Sequence, residues 1–362
     1  SDPPLPKGGG IGFPNSTFLT FANESLQGEN FSDELRTAGL GTPNKLVKAF
    51  DINESIGGPF KQNKVWFWFS ARYNTTENEA PVFSNQFAYD PVNFYKYVPH
   101  TSKPGVNKGT QVNSSLRVTW QVSPRNKIAG TYKADKWCNC PNNISATQSP
   151  EAGRDRRFPR LRQEHAEWTS PVNNHVLFEA VGLHLFERWG NMHYRVHDGS
   201  LDDPAIEQVL PQLYAIMEQG GPYAGLNYGI LSNYNNTAVP SWTYRAAMSY
   251  VTGSHALKYG FNRTHGYLDE YQYTLNPVAL RFNNGVPNLV TERPTYRVIT
   301  NLDNDLGFYV QDRWTVNRWT VQGALRFDYF ATSSPEQHLG PEAIAPNRNI
   351  TFPAQKAISW KD

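Results

Sequence analysis

The sequence is short of charge, of sulfur and of long apolar runs, and each shortage removes a class of protein. Asp, Glu, Lys and Arg make up 18% of the 362 residues, below the roughly 25% of an average soluble domain. The 34 basic and 32 acidic side chains leave a formal charge of +2, too weak a field to gather nucleic acid. The densest apolar stretch is residues 65–71, far shorter than the ~18 to 20 residues of a membrane-spanning helix. The opening Ser1-Asp2-Pro3-Pro4-Leu5-Pro6-Lys7 has no basic segment followed by an apolar core, the pattern of a secretory signal. Either a signal has been removed or the chain begins within a longer protein. Motifs of covalent chemistry are missing too. Gly-x-Ser-x-Gly, Gly-x-x-x-x-Gly-Lys and His-Glu-x-x-His do not occur, so nucleophilic hydrolysis, phosphate cradling and zinc proteolysis lose their usual anchors. The reading is of a protein that is not an enzyme and calls for no cofactor.

Aromatic residues, by contrast, are abundant: 10 Trp, 19 Tyr and 20 Phe, or 14% of the chain, which argues against disorder. They fall in alternating segments that come in pairs, the pattern of β-hairpins. In residues 319–330, Trp319, Val321, Gly323, Leu325, Phe327 and Tyr329 share one face, and Thr320, Gln322, Ala324, Arg326 and Asp328 share the other. The five pairs are 45–56 with 65–74, 112–122 with 127–137, 161–169 with 175–189, 241–252 with 256–267, and 306–315 with 319–330. Between pairs the connections are long, at residues 23–44, 75–109, 138–158, 190–240 and 275–301. Such loops are rare in compact soluble domains, whereas outer-membrane barrels alternate tight periplasmic turns with long external loops. The expectation is an all-β, antiparallel transmembrane barrel.

Placement of the aromatics gives a second test, because a barrel carries Trp and Tyr where strands meet the membrane interface. Trp120, Trp168 and Tyr250 precede short turns, Trp314 and Trp319 bracket one, and Trp66 and Trp68 follow Gly57-Gly58-Pro59-Phe60. Filling of a soluble sandwich core is the competing account of the same residues. Within the 190–240 connection, residues 204–219 have helical spacing after Asp202-Asp203, interrupted by Pro211, and read as a small helical cap.

Several small constellations remain. Cys138 and Cys140 flank Asn139 at the start of a long connection; a local disulfide is the leading reading, with free thiols or a metal site as alternatives, although structural zinc asks for four ligands at wider spacing. His165-Ala166-Glu167 has the His-x-Glu of zinc deaminases without the downstream Pro-Cys-x-x-Cys, and reads as a polar strand face. Asp202/Asp203 and Asp269/Glu270 are carboxylate pairs of the kind a glycosidase uses, a weak signal because neighbouring acids are common. Asp51, Asn53 and Ser55 place oxygens at alternate positions but lack the later Glu of a calcium loop.

Two hairpins resemble a known family. Gly57-Gly58-Pro59-Phe60 followed by Lys64-Val65-Trp66-Phe67-Trp68 is similar to the GGP hairpin of Oar-like TonB-dependent receptors. These are bacterial outer-membrane proteins that carry an N-terminal carboxypeptidase-regulatory-like domain. Gly307-Phe308-Tyr309-Val310-Gln311-Asp312-Arg313-Trp314, with Arg318-Trp319-Thr320-Val321 and Leu325-Arg326-Phe327-Asp328-Tyr329, resembles the YxQDxW...LTLxxGLRxD hairpin common to TonB-dependent barrels. Trp168-Thr169-Ser170-Pro171-Val172-Asn173 and Ser359-Trp360-Lys361-Asp362 also resemble Oar-like stretches.

The resemblance implies a barrel of about 22 strands, of which about eleven are present once a first strand near residues 13–21 is counted. Residues 1–362 would then be the N-terminal half of a barrel, with the signal peptide, regulatory-like domain, plug and C-terminal half lying elsewhere. It further implies a location in the bacterial outer membrane, contact with its lipid, and a link to the TonB complex through the missing N-terminal parts. The function implied is binding of an unidentified scarce extracellular ligand, in loops such as 75–109 and 190–240, for energised uptake. Ligand contacts are unassigned, and Arg326 and Asp328 would line the lumen. Two other readings compete: a soluble carbohydrate-active or carbohydrate-binding β protein, and an outer-membrane adhesion or assembly protein without transport.

Overall fold

A period of two commits a chain to extended backbone, because alternate side chains fall on opposite faces. A computed structural model, which describes residues 12–28, 31–39, 45–193 and 208–361, has this pattern converted into strands. In chain order they are β1 (Asn15–Asn23), β2 (Leu46–Lys61), β3 (Val65–Asn85), β4 (Pro99–Ser123), β5 (Asn126–Asn142), β6 (Arg154–Pro171), β7 (Val176–His193), β8 (Ala215–Glu218), β9 (Asn227–Gly229), β10 (Tyr234–Thr252), β11 (His255–Tyr273), β12 (Val278–Asn283), β13 (Val286–Glu292), β14 (Tyr296–Val316), β15 (Trp319–Ser334), β16 (Gln337–Leu339), β17 (Ile350–Phe352) and β18 (Gln355–Lys361). Twelve form one wall in the order β1-β2-β3-β4-β5-β6-β7-β10-β11-β14-β15-β18, each antiparallel to the next. All five short turns therefore lie at one end of the wall and the long connections at the other.

The all-β antiparallel barrel wall matches the expectation, with one strand more than the count of about eleven; the addition is β18. The wall strands are also longer than the alternation suggested, reaching 25 residues in β4. Most of the 75–109 connection is the continuation of β3 and β4, with only residues 86–98 left between them. There neither strand carries a regular apolar row, so the alternation lapses while the hydrogen-bond ladder continues. For the same reason Cys138 and Cys140 lie within β5 rather than in a loop.

The helical cap is corrected over its second half. Residues 204–207, like Asp202 and Asp203, lie outside the described residues. Beyond them Gln208 and Val209 are α-helical, Leu210–Gln212 is a 3-10 turn, and Ala215–Glu218 is a strand that runs antiparallel to β9 and parallel to β12. Pro211 withholds the N–H that a helix would need, and the apolar residues that mimic helical spacing are buried by neighbouring loops instead.

Register assigns the two faces of the wall. Leu116, Val118 and Trp120 on β4 stand opposite Phe69, Phe67 and Val65 on β3, and opposite Tyr132, Gly130 and Ile128 on β5. These side chains are open: Leu116 is 41%, Ile128 43%, Tyr132 45% and Trp120 45% exposed. Leaving each in water forfeits about 1.5–3 kcal/mol of burial, and a continuous patch of them marks a surface that meets lipid or a partner. The other face holds ion pairs between strands: Arg72 Nε to Asp51 at 2.9 Å on the neighbouring strand, and, reaching over one intervening strand, Arg117 to Glu167 and Lys258 Nζ to Glu179 at 3.1 Å.

The aromatic belt needs one revision. Trp120, Trp168, Tyr250, Trp314 and Trp319 lie on the apolar face near the short turns, and two of the indole N–H groups are satisfied there. Trp168 donates to Asn126 Oδ1 at 3.1 Å and Trp314 to Ser254 Oγ at 3.2 Å. Trp66 and Trp68, however, stand opposite Thr119 and Arg117, on the polar face. Phe67 and Phe69 take the outward positions between and beyond them.

One close approach between strands depends on glycine. At the β10/β11/β14 bulge next to Gly266, a Cβ would run into the backbone carbonyl of Pro240. A bare backbone is what lets β11 change register there without parting from β10.

Candidate functional site

The long connections do not splay into solvent. Ala80, Val82 and Phe94 from the second, Ile144 from the third, Leu210, Leu213, Ile216, Leu226, Tyr228 and Ile230 from the fourth, and Phe282 from the fifth form one buried cluster. A second sheet in the order β13-β12-β8-β9 runs through it. The loop end of the wall therefore carries a cap with its own core.

Polar groups lock this cap together. Tyr228 donates from its hydroxyl to the Tyr95 carbonyl at 3.0 Å, and Tyr97 to the Phe83 carbonyl at 2.7 Å. The Asn107 amide donates to the Ile144 carbonyl at 2.7 Å and accepts its N–H at 3.0 Å. Glu218 is 5% exposed; its Oε1 accepts the Asn284 N–H at 2.7 Å and the Gly220 N–H at 3.3 Å, and its Oε2 accepts the Gly285 N–H at 3.1 Å. Glu151 is 2% exposed and accepts the Asn85 N–H at 3.2 Å. Burial pushes its carboxyl above the usual range. Burial, with Glu151 close by, likewise raises the Tyr97 phenol.

Beside the cap, three rings from adjacent strands stack on the polar face of the wall. Trp137 and Phe158 have centroids 4.5 Å apart with planes at 13°, and Phe158 and Trp189 are 6.0 Å apart at 23°. The Arg156 guanidinium lies 5.5 Å from the Phe158 ring and 5.2 Å from the Trp189 ring. On the β3–β4 side of Trp137 is a cavity of about 360 Å³, lined by Asn74, Thr76, Asn78, Asn107, Asn139 and Asn142 among others. This size falls in the range of small-ligand sites.

The residues singled out in the sequence scatter. Cys138 and Cys140 lie two apart on β5 with Cα atoms 5.3 Å apart, a spacing that a disulfide can bridge. His165 and Glu167 sit on the polar face, where Glu167 meets Arg117. Asp51 is the partner of Arg72. Asp269 and Glu270, being consecutive on β11, point to opposite faces; Asp269 is bound by Arg297 at 2.6 Å, so the two carboxylates do not converge. Arg326 and Asp328 share the polar face and pair at 2.6 Å. Glu218, Glu151 and the stacked rings went unrecognised in the sequence, because each works through a partner at least tens of residues away.

Residues 88–356 match the family model described as an outer membrane β-barrel domain. The chain belongs to this family. Its apolar strand faces thus meet the lipid of the outer membrane. No curated protein matches the chain in sequence. Among solved structures, this family member is similar to the outer membrane transporter YddB of Escherichia coli, with a TM-score of 0.52 and 10% identity over 88% of this chain and 41% of that one. It is similar to the copper transporter OprC, with a TM-score of 0.50 and 11% identity over 97% and 42%. It is also similar to the ferric yersiniabactin uptake receptor FyuA of Yersinia pestis, with a TM-score of 0.50 and 9% identity over 87% and 41%. Identities this low speak for the fold alone, and the chain spans about two-fifths of the length of these structures. The soluble carbohydrate-protein reading gives way to the outer-membrane family.

Proposed function

We propose that this barrel wall and cap belong to an Oar-like TonB-dependent receptor, which holds a scarce extracellular ligand at its loop end and admits it when energised through the TonB complex. One observation carries the reading: four long connections share one buried core at the mouth of a wall whose inner face is polar. A structured cap over a polar lumen suits selective capture followed by gated entry, and asks for no covalent step. β1 and β18 end the wall, each with a neighbour on one side only among the described residues. Open edges cannot face hydrocarbon, so the wall is completed by further strands. On this reading residues 1–362 are the N-terminal half of a barrel of about 22 strands, and the TonB contact lies in its N-terminal parts.

The test is accumulation of labelled ligand by cells that carry the complete protein, with and without TonB. Binding at the cell surface survives the loss of TonB in this account, while accumulation inside does not. Accumulation undiminished without TonB, or surface attachment as the sole phenotype, would turn the reading towards adhesion or assembly.

A further inference from the structure

We propose that the cavity beside Trp137 is the ligand site of the receptor and that its ligand is a neutral oligosaccharide. The inference rests on the receptor reading and adds the class of compound bound. Its walls offer amides from three strands on the polar face: Asn74 and Asn78 of β3, Asn107 of β4, and Asn139 and Asn142 of β5. An amide both donates and accepts, as a sugar hydroxyl does. Three of these amides are held in place by others, Asn74 by donating to Gln111 Oε1 at 3.3 Å. Asn107 is locked to the Ile144 backbone on both sides, and Asn139 Oδ1 accepts the Trp137 indole N–H at 3.0 Å. The side-chain amides of Asn78 and Asn142, whose backbones sit in the strand ladder, have no hydrogen-bond partner among the described residues, and so are free to serve a guest.

The wall of the cavity is an indole, fixed by its bond to Asn139 and by stacking on Phe158 at 4.5 Å. A flat, rigid aromatic surface beside donor and acceptor amides fits the C–H face of a pyranose and its hydroxyl edge together. Lys108 alone is charged among the described lining residues, which leaves little to hold anionic guests such as phosphates and carboxylate chelates. It pairs with Glu77 at 2.8 Å, a carboxylate that Lys48 also reaches at 3.4 Å. Arg156 stands across from Asn139, but its guanidinium is engaged over Phe158 and Trp189. An anion entering this site would lose its hydration against a single lining cation that is already engaged with Glu77.

The test uses the complete protein in outer-membrane vesicles, with cellohexaose and maltohexaose as neutral probes and hexagalacturonate as the charged one, followed by equilibrium dialysis. At least one neutral hexasaccharide binds saturably, and Asn78→Ala with Asn142→Ala weakens it about 10-fold, the loss expected for two neutral hydrogen bonds. Trp137→Phe, which retains a ring in the stack, weakens it less than Trp137→Leu. Hydrogen exchange in the cap stays unchanged in the double variant, which separates lost contacts from lost folding. Absence of saturable binding by both neutral sugars, equal binding by the double variant, or tighter binding of hexagalacturonate overturns the proposal. The two readings fail separately. Sugar bound at this cavity but accumulated equally without TonB overturns energised uptake alone, while TonB-dependent uptake by a protein that binds neither neutral sugar overturns the ligand class alone.

Discussion

Replacing Glu218 by Ala tests whether the cap is one cooperative unit. The carboxylate ties β8, from the fourth long connection, to the tight turn between β12 and β13, in the fifth. Asn284 and Gly285 hold that turn with φ of 52° and 78°, the two positive values of a type I′ turn, which aims both N–H groups at Glu218. Two of the three bonds are 2.7 and 3.1 Å; at about 1.5 kcal/mol for each bond to a charged group, their loss amounts to roughly 3 kcal/mol. That raises the opened population of this corner about 150-fold. Native-state hydrogen exchange, read by mass spectrometry on peptides spanning residues 215–230 and 278–292, measures it directly. Both peptides should lose protection together in Glu218→Ala, with a smaller loss in Glu218→Gln, which keeps one acceptor oxygen. Less than about a threefold change, or faster exchange in one peptide alone, would refute the idea of a shared lock.

Three further outcomes are expected. Burial raises the Glu151 carboxyl above the 4.5 of a free side chain, so the folded cap holds a proton that the opened cap releases. This contribution is full below about pH 4.5 and is lost as pH rises through the raised folded value; cap exchange should quicken over that window and Glu151→Gln should flatten the profile, whereas a cap that tightens with rising pH would contradict the sign. Gly266→Ala places a methyl group against the Pro240 carbonyl and should cost about 1–3 kcal/mol, seen as a lower urea midpoint of the membrane-embedded protein; an unchanged midpoint would show that the bulge absorbs it. Cys138 and Cys140 should be found oxidised, their peptide lighter by two hydrogens before reduction. Cys138→Ser should leave the urea midpoint nearly unmoved, because a ring across one residue restrains little of the unfolded chain.

How far the sequence could be read depended on whether a residue's partner is local. The hairpin at Val316-Asn317-Arg318 and the outward row from Trp319 to Tyr329 follow from alternation over consecutive residues, and their faces came out as expected. The limits of β3 and β4 did not, because residues 75–85 and 99–109 lack a regular apolar alternation, and Ala80 and Val82 pack into the cap instead. Ile216 and Met217 fit a helical spacing as well as a strand; β12, more than sixty residues further on, decides between them by offering a parallel ladder. The candidate site was the least legible part. Trp137, Phe158 and Trp189 meet only through the register of β5, β6 and β7, including a bulge between Arg157 and Arg160. Asn74, Thr76 and Asn78 alternate along β3, but they meet Asn139 only through the register of β3, β4 and β5.

The claim on which the account depends is that one face of the wall meets lipid and the other a polar lumen. Single cysteines at Leu116, Ile128 and Leu325, and at Ser115, Thr131 and Gln322, in a background of Cys138→Ser and Cys140→Ser, would carry a bimane probe in the complete protein reconstituted into bilayers. Lipids with nitroxide groups on their acyl chains should quench the first three strongly and the second three weakly, so that quenching alternates with residue number between positions 115 and 116. Equal quenching of both sets, or none at positions 116, 128 and 325, would contradict a membrane-spanning wall.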